Sequence, residues 1–406
     1  MRVMLTSWAW ATHYTPMVPL VWALRAAGHD VRVASQPALT DVITSSGATA
    51  VPVGPDLDHD EVRQRVMRNL RLTEVPDAPP PGASMTAWSP DAIARVRRVF
   101  GVFVAYAEAM SDDFLEFARA WRPDLILYEP TTYAGPLIAA ALGIPAVRHI
   151  HGVDVTYQAR DVVPELLAPL ADRLGVARPD IMGEATIDPC PPSMQIPTGI
   201  RPIPVRYVPY NGPAVFPDWL RAAPGRRRIC VTWGTSTTRL SGMETFLPPR
   251  VIAAAGDMDI EIIMALSAHD AAAIGEVPAS VRVVEALPLH LLLPTCDAVI
   301  HQGGNGTLLT SALHGIPQLV LPQLPDQVFN TDRLVETGAA VSLRADQASL
   351  EAIRDRLEDI LTEPEYQINA GRIRVEMLTM PPPSDVIPEL EALAGSFTAR
   401  SFHAHT

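Results

Sequence analysis

The sequence predicts an α/β protein built from two Rossmann-like parallel-sheet domains that face one another across a cleft. Three observations point to it. Short β-branched runs alternate with amphipathic helical runs, the pattern of a parallel sheet covered by helices. That alternation occurs once in each half and degrades between them into a proline-rich connection from about Asp161 to Pro224. The 406 residues are too many for one ordinary core and comfortable for two. We therefore expect domains at residues 1–210 and 211–385, with residues 386–406 forming a helix and tail that cross back onto the first domain.

In the first half, Val3–Ser7 reads as a strand and Met17–Ala27 as a helix stopped by Gly28, a residue suited to a helix C-terminus. Val31–Ser35 follows as a strand, Leu39–Ser46 as a helix closed by Gly47, and Ala50–Val53 as a third strand. Residues from about Asp56 to Pro90 are polar and proline-rich, with a break at Pro79-Pro80-Pro81-Gly82, and read as a long excursion beside a site. The rhythm returns with strand Leu125–Tyr128, helix Ala134–Leu142 and strand Ala146–Ile150. The second series begins at Arg228–Trp233 and continues through Ile260–Leu266, Val281–Val284, Ala298–His301, Gln318–Leu321 and Ala340–Leu343. A last helix, Val386–Leu393, follows the stop Pro381-Pro382-Pro383.

Composition removes several function classes. Thirty-two basic against 45 acidic side chains leave a net charge of −13, a surface that repels nucleic-acid phosphates and anionic lipids. Neither nucleic acid nor membrane is expected as a partner. The three cysteines, Cys190, Cys230 and Cys296, are widely spaced and form no CxxC or Cys/His cluster, so no disulfide framework or structural zinc is indicated. The N-terminus reads as a strand rather than a signal peptide, and no run reaches the roughly 18 apolar residues of a spanning helix. A cytoplasmic location is expected.

Two segments carry chemistry. In His301-Gln302-Gly303-Gly304-Asn305-Gly306-Thr307 a buried strand meets a glycine-rich turn and a helix start near Thr307. The free amides and dipole of a helix N-terminus suit a diphosphate, and His301 could donate to a phosphate oxygen. The plainer reading is a tight turn with a satisfied histidine. Twenty residues on, Asp326-Gln327 offers an acceptor and an amide at a strand-to-helix turn, the groups that grip vicinal sugar hydroxyls; taken alone, the pair could be a helix cap. His13, just past the first strand, is placed to act as a base near neutral pH. Asp257-Met258-Asp259 precedes a strand rather than closing one, and Asp56–Asp60 is an acidic loop, so we expect no metal at either.

Taken in order, His-x-Gly-Gly-x-Gly-Thr, then Gly315-Ile316-Pro317, then Pro322-x-x-x-Asp326-Gln327-x-x-Asn330 resemble the C-terminal signature of GT-B glycosyltransferases of the bacterial antibiotic branch. His13, the run Val18–Ala34, Arg206–Gly212 and Val231–Thr235 resemble the same branch. The resemblance implies an inverting, metal-independent glycosyltransferase that moves a deoxysugar from a TDP-sugar to a hydroxyl of a polyketide-type aglycone. It implies that His13 is the base, supported by Glu129, where many relatives carry Asp; the reach of the longer side chain is open, and Asp112 or Asp113 are the alternatives. The nucleotide diphosphate would lie against Gly234, Thr235, His301, Gly303, Gly304, Asn305, Gly306 and Thr307. Leu287 would lie against the pyrimidine, and Asp326 and Gln327 against the sugar. No cofactor is implied beyond the nucleotide-sugar co-substrate. The partners implied are an apolar aglycone and the donor, with an auxiliary activator protein and a homodimer as further candidates.

Two rival classes share this fold: a nucleotide-sugar epimerase or hydrolase, which needs no acceptor, and a non-catalytic nucleotide-sugar binding protein. A nicotinamide oxidoreductase is disfavoured, because residues 1–35 hold no Gly-x-Gly-x-x-Gly after the first strand.

Overall fold

The computed structural model describes residues 1–66 and 88–404, so the Pro79–Gly82 break lies outside the described residues. Among the described residues the first sheet has seven parallel strands. They are β1 (Arg2–Thr6), β2 (Asp30–Ser35), β3 (Thr49–Pro52), β4 (Leu125–Tyr128), β5 (Ala146–His149), β6 (Ala185–Asp188) and β7 (Pro202–Pro204), in the order 3-2-1-4-5-6-7. The second has six parallel strands: β8 (Arg227–Thr232), β9 (Ile260–Leu266), β10 (Val281–Glu285), β11 (Ala298–His301), β12 (Gln318–Val320) and β13 (Ala340–Ser342), in the order 10-9-8-11-12-13. Helices cover both faces of each sheet, which is why β4, β5, β11 and β12 are buried at every residue and read as unbroken apolar runs in the sequence.

The strand order positions the site. In both sheets it reverses between two adjacent strands, β1 and β4 in the first and β8 and β11 in the second. At such a switch point neighbouring loops diverge and leave a crevice at the carboxyl ends of the strands. The β1–β4 register ends at Thr6 opposite Tyr128, so the loops that follow carry His13 and Glu129 side by side. The β8–β11 register ends with Val231 opposite Ile300, which brings together the loops of Gly234 and Gly303.

Two parts of the molecule depart from the sequence reading. A 32-residue helix, Pro90–Trp121, occupies a region to which the sequence pattern assigned no element. It starts properly, with the Ser89 hydroxyl accepting from the Ala92 amide and Pro90 in the first turn, and buries Val102, Tyr106, Met110, Phe114 and Trp121 in the first core. The proline-rich stretch expected to be a linker is largely structured. It contains helix Val163–Leu174 and the strands β6 and β7, which extend the first sheet. Pro202 and Pro204 flank a single buried Ile203 in β7, the outermost strand of that sheet, where an imino acid costs no ladder bond.

The helix Ile387–Ala404 returns to the N-terminal half, where Val386, Ile387 and Leu390 are buried against Leu20, Leu24 and Val31. The Arg206 amide, donating 2.7 Å to the Pro381 carbonyl, fastens the returning chain.

Candidate active site

The cleft between the sheets holds a cavity of about 1140 Å³. One wall comes from the loops after β1, β4 and β5, with the first turns of helix Pro90–Trp121. The other comes from the loops after β8, β10, β11 and β12.

His13 sits in the short helix Ala11–Tyr14 that ends the β1 loop, half-buried and facing the cavity. Its Nδ1 lies 2.8 Å from Glu129 Oε1, so the extra methylene of Glu does reach the ring. The alternative acids are engaged elsewhere: Asp112 pairs with Arg173 and Asp113 accepts from the Gly54 amide. Glu129 is completely buried at the end of β4, and donors surround it. The Thr131 amide donates at 3.0 Å, the Thr131 hydroxyl lies 2.9 and 2.8 Å from the two carboxylate oxygens, and the Thr132 hydroxyl donates at 2.8 Å. Burial alone would push this carboxyl up; His13 and the surrounding donors outweigh it and hold the group below its usual range. With Nδ1 turned to Glu129, Nε2 of His13 is the nitrogen left for chemistry in the cleft.

His151, after β5, also lines the cavity, with its ring centroid 5.1 Å from that of His13. Burial, and then neighbouring His13, depress it to about 4, so it is neutral at pH 7. His149 is buried, depressed to about 4, and absent from the cavity lining. One ligand-capable atom from each of His13, Glu129 and His151 lies within 4.8 Å of the others. Both Glu129 oxygens and His13 Nδ1 already take part in the hydrogen bonds above.

The opposite wall is built around a helix N-terminus. Gly304 caps helix Asn305–His314 with no side chain over the terminal amides, leaving them open to an anion. Gly304, Asn305, Gly306 and Thr307 line the cavity, as do Gly234 and Thr235 from the β8 loop. Gly234 has φ +68°, a backbone conformation that favours glycine, and a Cβ there would lie 2.5 Å from Gln302 Nε2, so a larger residue would push that amide aside. Leu287 lines the cavity beside Ala286, a non-glycine residue held at φ +51°. Asp326, open to the cavity in the first turn of helix Pro325–Glu336, has its carboxyl raised by the surrounding walls, with His13 acting in the opposite sense.

Three sequence-predicted residues behave differently from expectation. His301 is fully buried and both of its nitrogens are taken: Nδ1 accepts from the Gly303 amide at 3.0 Å and Nε2 meets Gln318 Oε1 at 2.8 Å. Burial depresses it to about 4. It therefore braces the glycine turn, the plainer of the two sequence readings, and neither ring nitrogen is left to donate to a phosphate. Gln327 lines the cavity, but its Oε1 accepts from the Gln323 and Leu324 amides and its Nε2 donates to Thr237 Oγ1. Its main visible work is to cap its helix and tie the β12 loop to the β8 loop. Gly303, at φ +93° and packed against Thr331 and Gln327, shapes the turn from behind the cavity wall.

The sequence reading missed Thr131, Thr132 and His59. A legible signal for the first two was the pair of hydroxyls two and three residues after Glu129 at a strand end. His59 stacks on Trp8 and lies tilted against Trp10 in the acceptor-side wall, and its place there comes only from the fold. Trp10 crosses the cleft: its Nε1 donates 3.2 Å to Ser236 Oγ, and Arg239 lies over its ring at 5.3 Å. Of the two acidic segments, Asp257–Asp259 lies away from the site and Asp56–Asp60 reaches it through His59. Asp257 and Asp259 pair with Arg354 and Arg226 at the far end of β9, and Asp56 accepts from the Ala38 amide.

Two doubly wound sheets enclosing such a cleft define the GT-B fold of nucleotide-sugar enzymes. Residues 22–234 match the N-terminal domain and residues 249–393 the C-terminal domain of the family described as erythromycin biosynthesis protein CIII-like, and the chain belongs to that family. It is 39% identical to the 10-deoxymethynolide desosaminyltransferase of Streptomyces venezuelae, over 97% of each chain. It is 39% identical to the TDP-daunosamine transferase DnrS of Streptomyces peucetius, over 98% of each. The crystal structure of the glycosyltransferase VinC in complex with dTDP superposes with a TM-score of 0.80 at 33% identity, covering 98% of this chain and 100% of that one. Among the described residues, no helix is long and apolar enough to cross a membrane.

Proposed function

We propose that this protein transfers a deoxysugar from a TDP-sugar to a hydroxyl of an apolar polyketide-type aglycone, with inversion and without a metal. The observation that carries the reading is the His13–Glu129 pair, 2.8 Å apart and facing an uncapped helix N-terminus across one cavity. The acceptor oxygen attacks the anomeric carbon as His13 Nε2 takes its proton. The bond from that carbon to the diphosphate oxygen breaks, and the electron pair leaves with the nucleoside diphosphate. Glu129 stabilises the imidazolium that forms, and the amides at Gly304–Thr307 receive the charge on the leaving group. Leu287 packs on the base, and Asp326 with the outer face of Gln327 holds the sugar. Tryptophan and phenylalanine side chains of the acceptor wall (Trp8, Trp10, Phe100, Phe103) give an apolar aglycone its binding surface.

His13→Ala should lower turnover at least about 10²-fold, the usual worth of a positioned base, with TDP affinity nearly unchanged. Normal turnover would move the base to His151. An auxiliary activator would act on residues 56–90, of which 67–87 lie outside the described residues. It predicts low activity alone and a rise on adding the pathway's own auxiliary protein; full activity without it would end that part of the proposal.

A further inference from the structure

Trp8, two residues beyond the end of β1, does more than fill the acceptor wall. It is buried, and its ring meets that of His13 edge-on, 5.0 Å between centroids. Its two N–H groups are directed to the residues that hold Glu129. The indole Nε1 donates 3.0 Å to Thr131 Oγ1, and the backbone amide donates 2.9 Å to Thr132 Oγ1.

We propose that Trp8 is a positioning residue for the dyad: its N–H groups set the direction of the two threonine hydroxyls and thereby keep Glu129 an acceptor for His13. The argument rests on donor and acceptor capacities. An indole N–H and an amide N–H can only donate, whereas a hydroxyl donates once and accepts up to twice. Each threonine must therefore accept from Trp8, and its single proton is left for Glu129. The carboxylate then meets a donor at each of its hydrogen bonds: His13 Nδ1, the Thr131 amide, the Thr131 hydroxyl and the Thr132 hydroxyl. A protonated Glu129 would set its own O–H against one of these donors. So the acid stays ionised, His13 carries its proton on Nδ1, and Nε2 presents a lone pair to the acceptor. A freed Thr131 hydroxyl could turn its lone pairs toward the carboxylate. The base-competent state, neutral His13 beside ionised Glu129, carries the larger net negative charge and would lose most by that rotation.

The other titratable groups that act on the pair are His149 at the end of β5, His151 after it, Tyr133 beyond the threonines, and Asp326 across the cleft. None of them supplies a donor to Glu129, so none replaces the hydroxyls. The inference rests on the proposed base role of His13, and its test does not need sugar transfer.

The test is a ¹⁵N titration of histidine-labelled protein, with the His13 signals identified by their loss in His13→Ala. In the parent protein, neutral His13 should show the Nδ1–H tautomer. Trp8→Phe keeps a ring beside His13 and removes one N–H. It and Thr131→Val should each raise the midpoint of the dyad's proton release by roughly one pH unit, the scale of one hydrogen bond to a charged group. Thr131→Ser should leave the midpoint in place, and the double variant Trp8→Phe/Thr131→Val should shift no further than either single one. An unchanged midpoint and tautomer in Trp8→Phe would overturn the proposal, as would additive shifts in the double variant. If Trp8→Phe does not fold, the comparison of Thr131→Val with Thr131→Ser decides: equal midpoints in the two overturn it. Absence of glycosyl transfer would instead count against the proposed function and leave this titration readable.

Discussion

Glu129→Gln and Glu129→Asp separate the two properties that the dyad needs, charge and reach. Glutamine keeps the length, and its carbonyl oxygen can still accept from His13 Nδ1 at the 2.8 Å of the parent contact. Its amide nitrogen then faces the Thr131 amide and the Thr132 hydroxyl, which stand 3.0 and 2.8 Å from Oε2 and are themselves donors. Losing a charge-assisted hydrogen bond to the forming imidazolium costs about 1.5–3 kcal/mol, or roughly tenfold to a hundredfold in kcat. Aspartate keeps the charge but withdraws the carboxylate by one carbon–carbon bond, about 1.5 Å. The contact then opens to about 4 Å, beyond hydrogen-bonding range. Both variants should therefore lose rate on a similar scale, in kcat rather than in donor affinity. Single-turnover transfer at saturating substrates measures the first, and calorimetry with TDP the second. A Glu129→Gln protein that turns over within about threefold of the parent would refute the dyad, because a loss that small is well below the charged hydrogen bond argued for.

Asp326→Ala should weaken a TDP-sugar and leave free TDP nearly unaffected, whereas Gly303→Ala should weaken both at least about tenfold. At φ +93° a Cβ on residue 303 would lie 2.9 Å from Thr331 Oγ1, which distorts the turn that presents the amides. Calorimetry with the two ligands checks this, and equal losses for both ligands in Asp326→Ala would contradict it. His149 and His301, each buried and depressed to about 4, should make the fold acid-sensitive. Between about pH 6.5 and 4 the unfolded chain binds protons that the native histidines refuse, so stability falls with pH, by at most about 3 kcal/mol per histidine. Asp188, raised to about 7 by burial, works in the opposite direction over this window. The urea midpoint is therefore best followed in Asp188→Asn, where it should fall steadily; a flat profile would contradict the assignment.

The two series of strands, and with them the cleft, were legible because the core strands are short apolar runs that alternate with helical ones. The glycine turn and His13 were legible because their chemistry is written in contiguous residues. The rest depended on distance in three dimensions. Whether Glu129 reaches His13 turns on β1 pairing with β4 across more than a hundred residues. His301 could face the phosphate or the core with the same motif around it; the deciding partner, Gln318, lies on the next strand. Helix Pro90–Trp121 escaped because its helical period begins at the edge of a proline-rich segment and is interrupted by Gly101. Strand β7 escaped because Pro-Ile-Pro reads as a connection, and only its place at the sheet edge makes it a strand.

The central claim is that the cleft couples loss of the diphosphate to attack by an acceptor hydroxyl. The most direct measurement incubates the protein with a TDP-deoxysugar, with and without a polyketide aglycone, and follows TDP release and aglycone mass together. NMR then gives the anomeric configuration of the product. The account predicts one TDP released per sugar attached, an inverted anomeric centre, negligible release without acceptor, and loss of both signals in His13→Ala. Release of TDP at the same rate without acceptor, or a product with retained configuration, would contradict it.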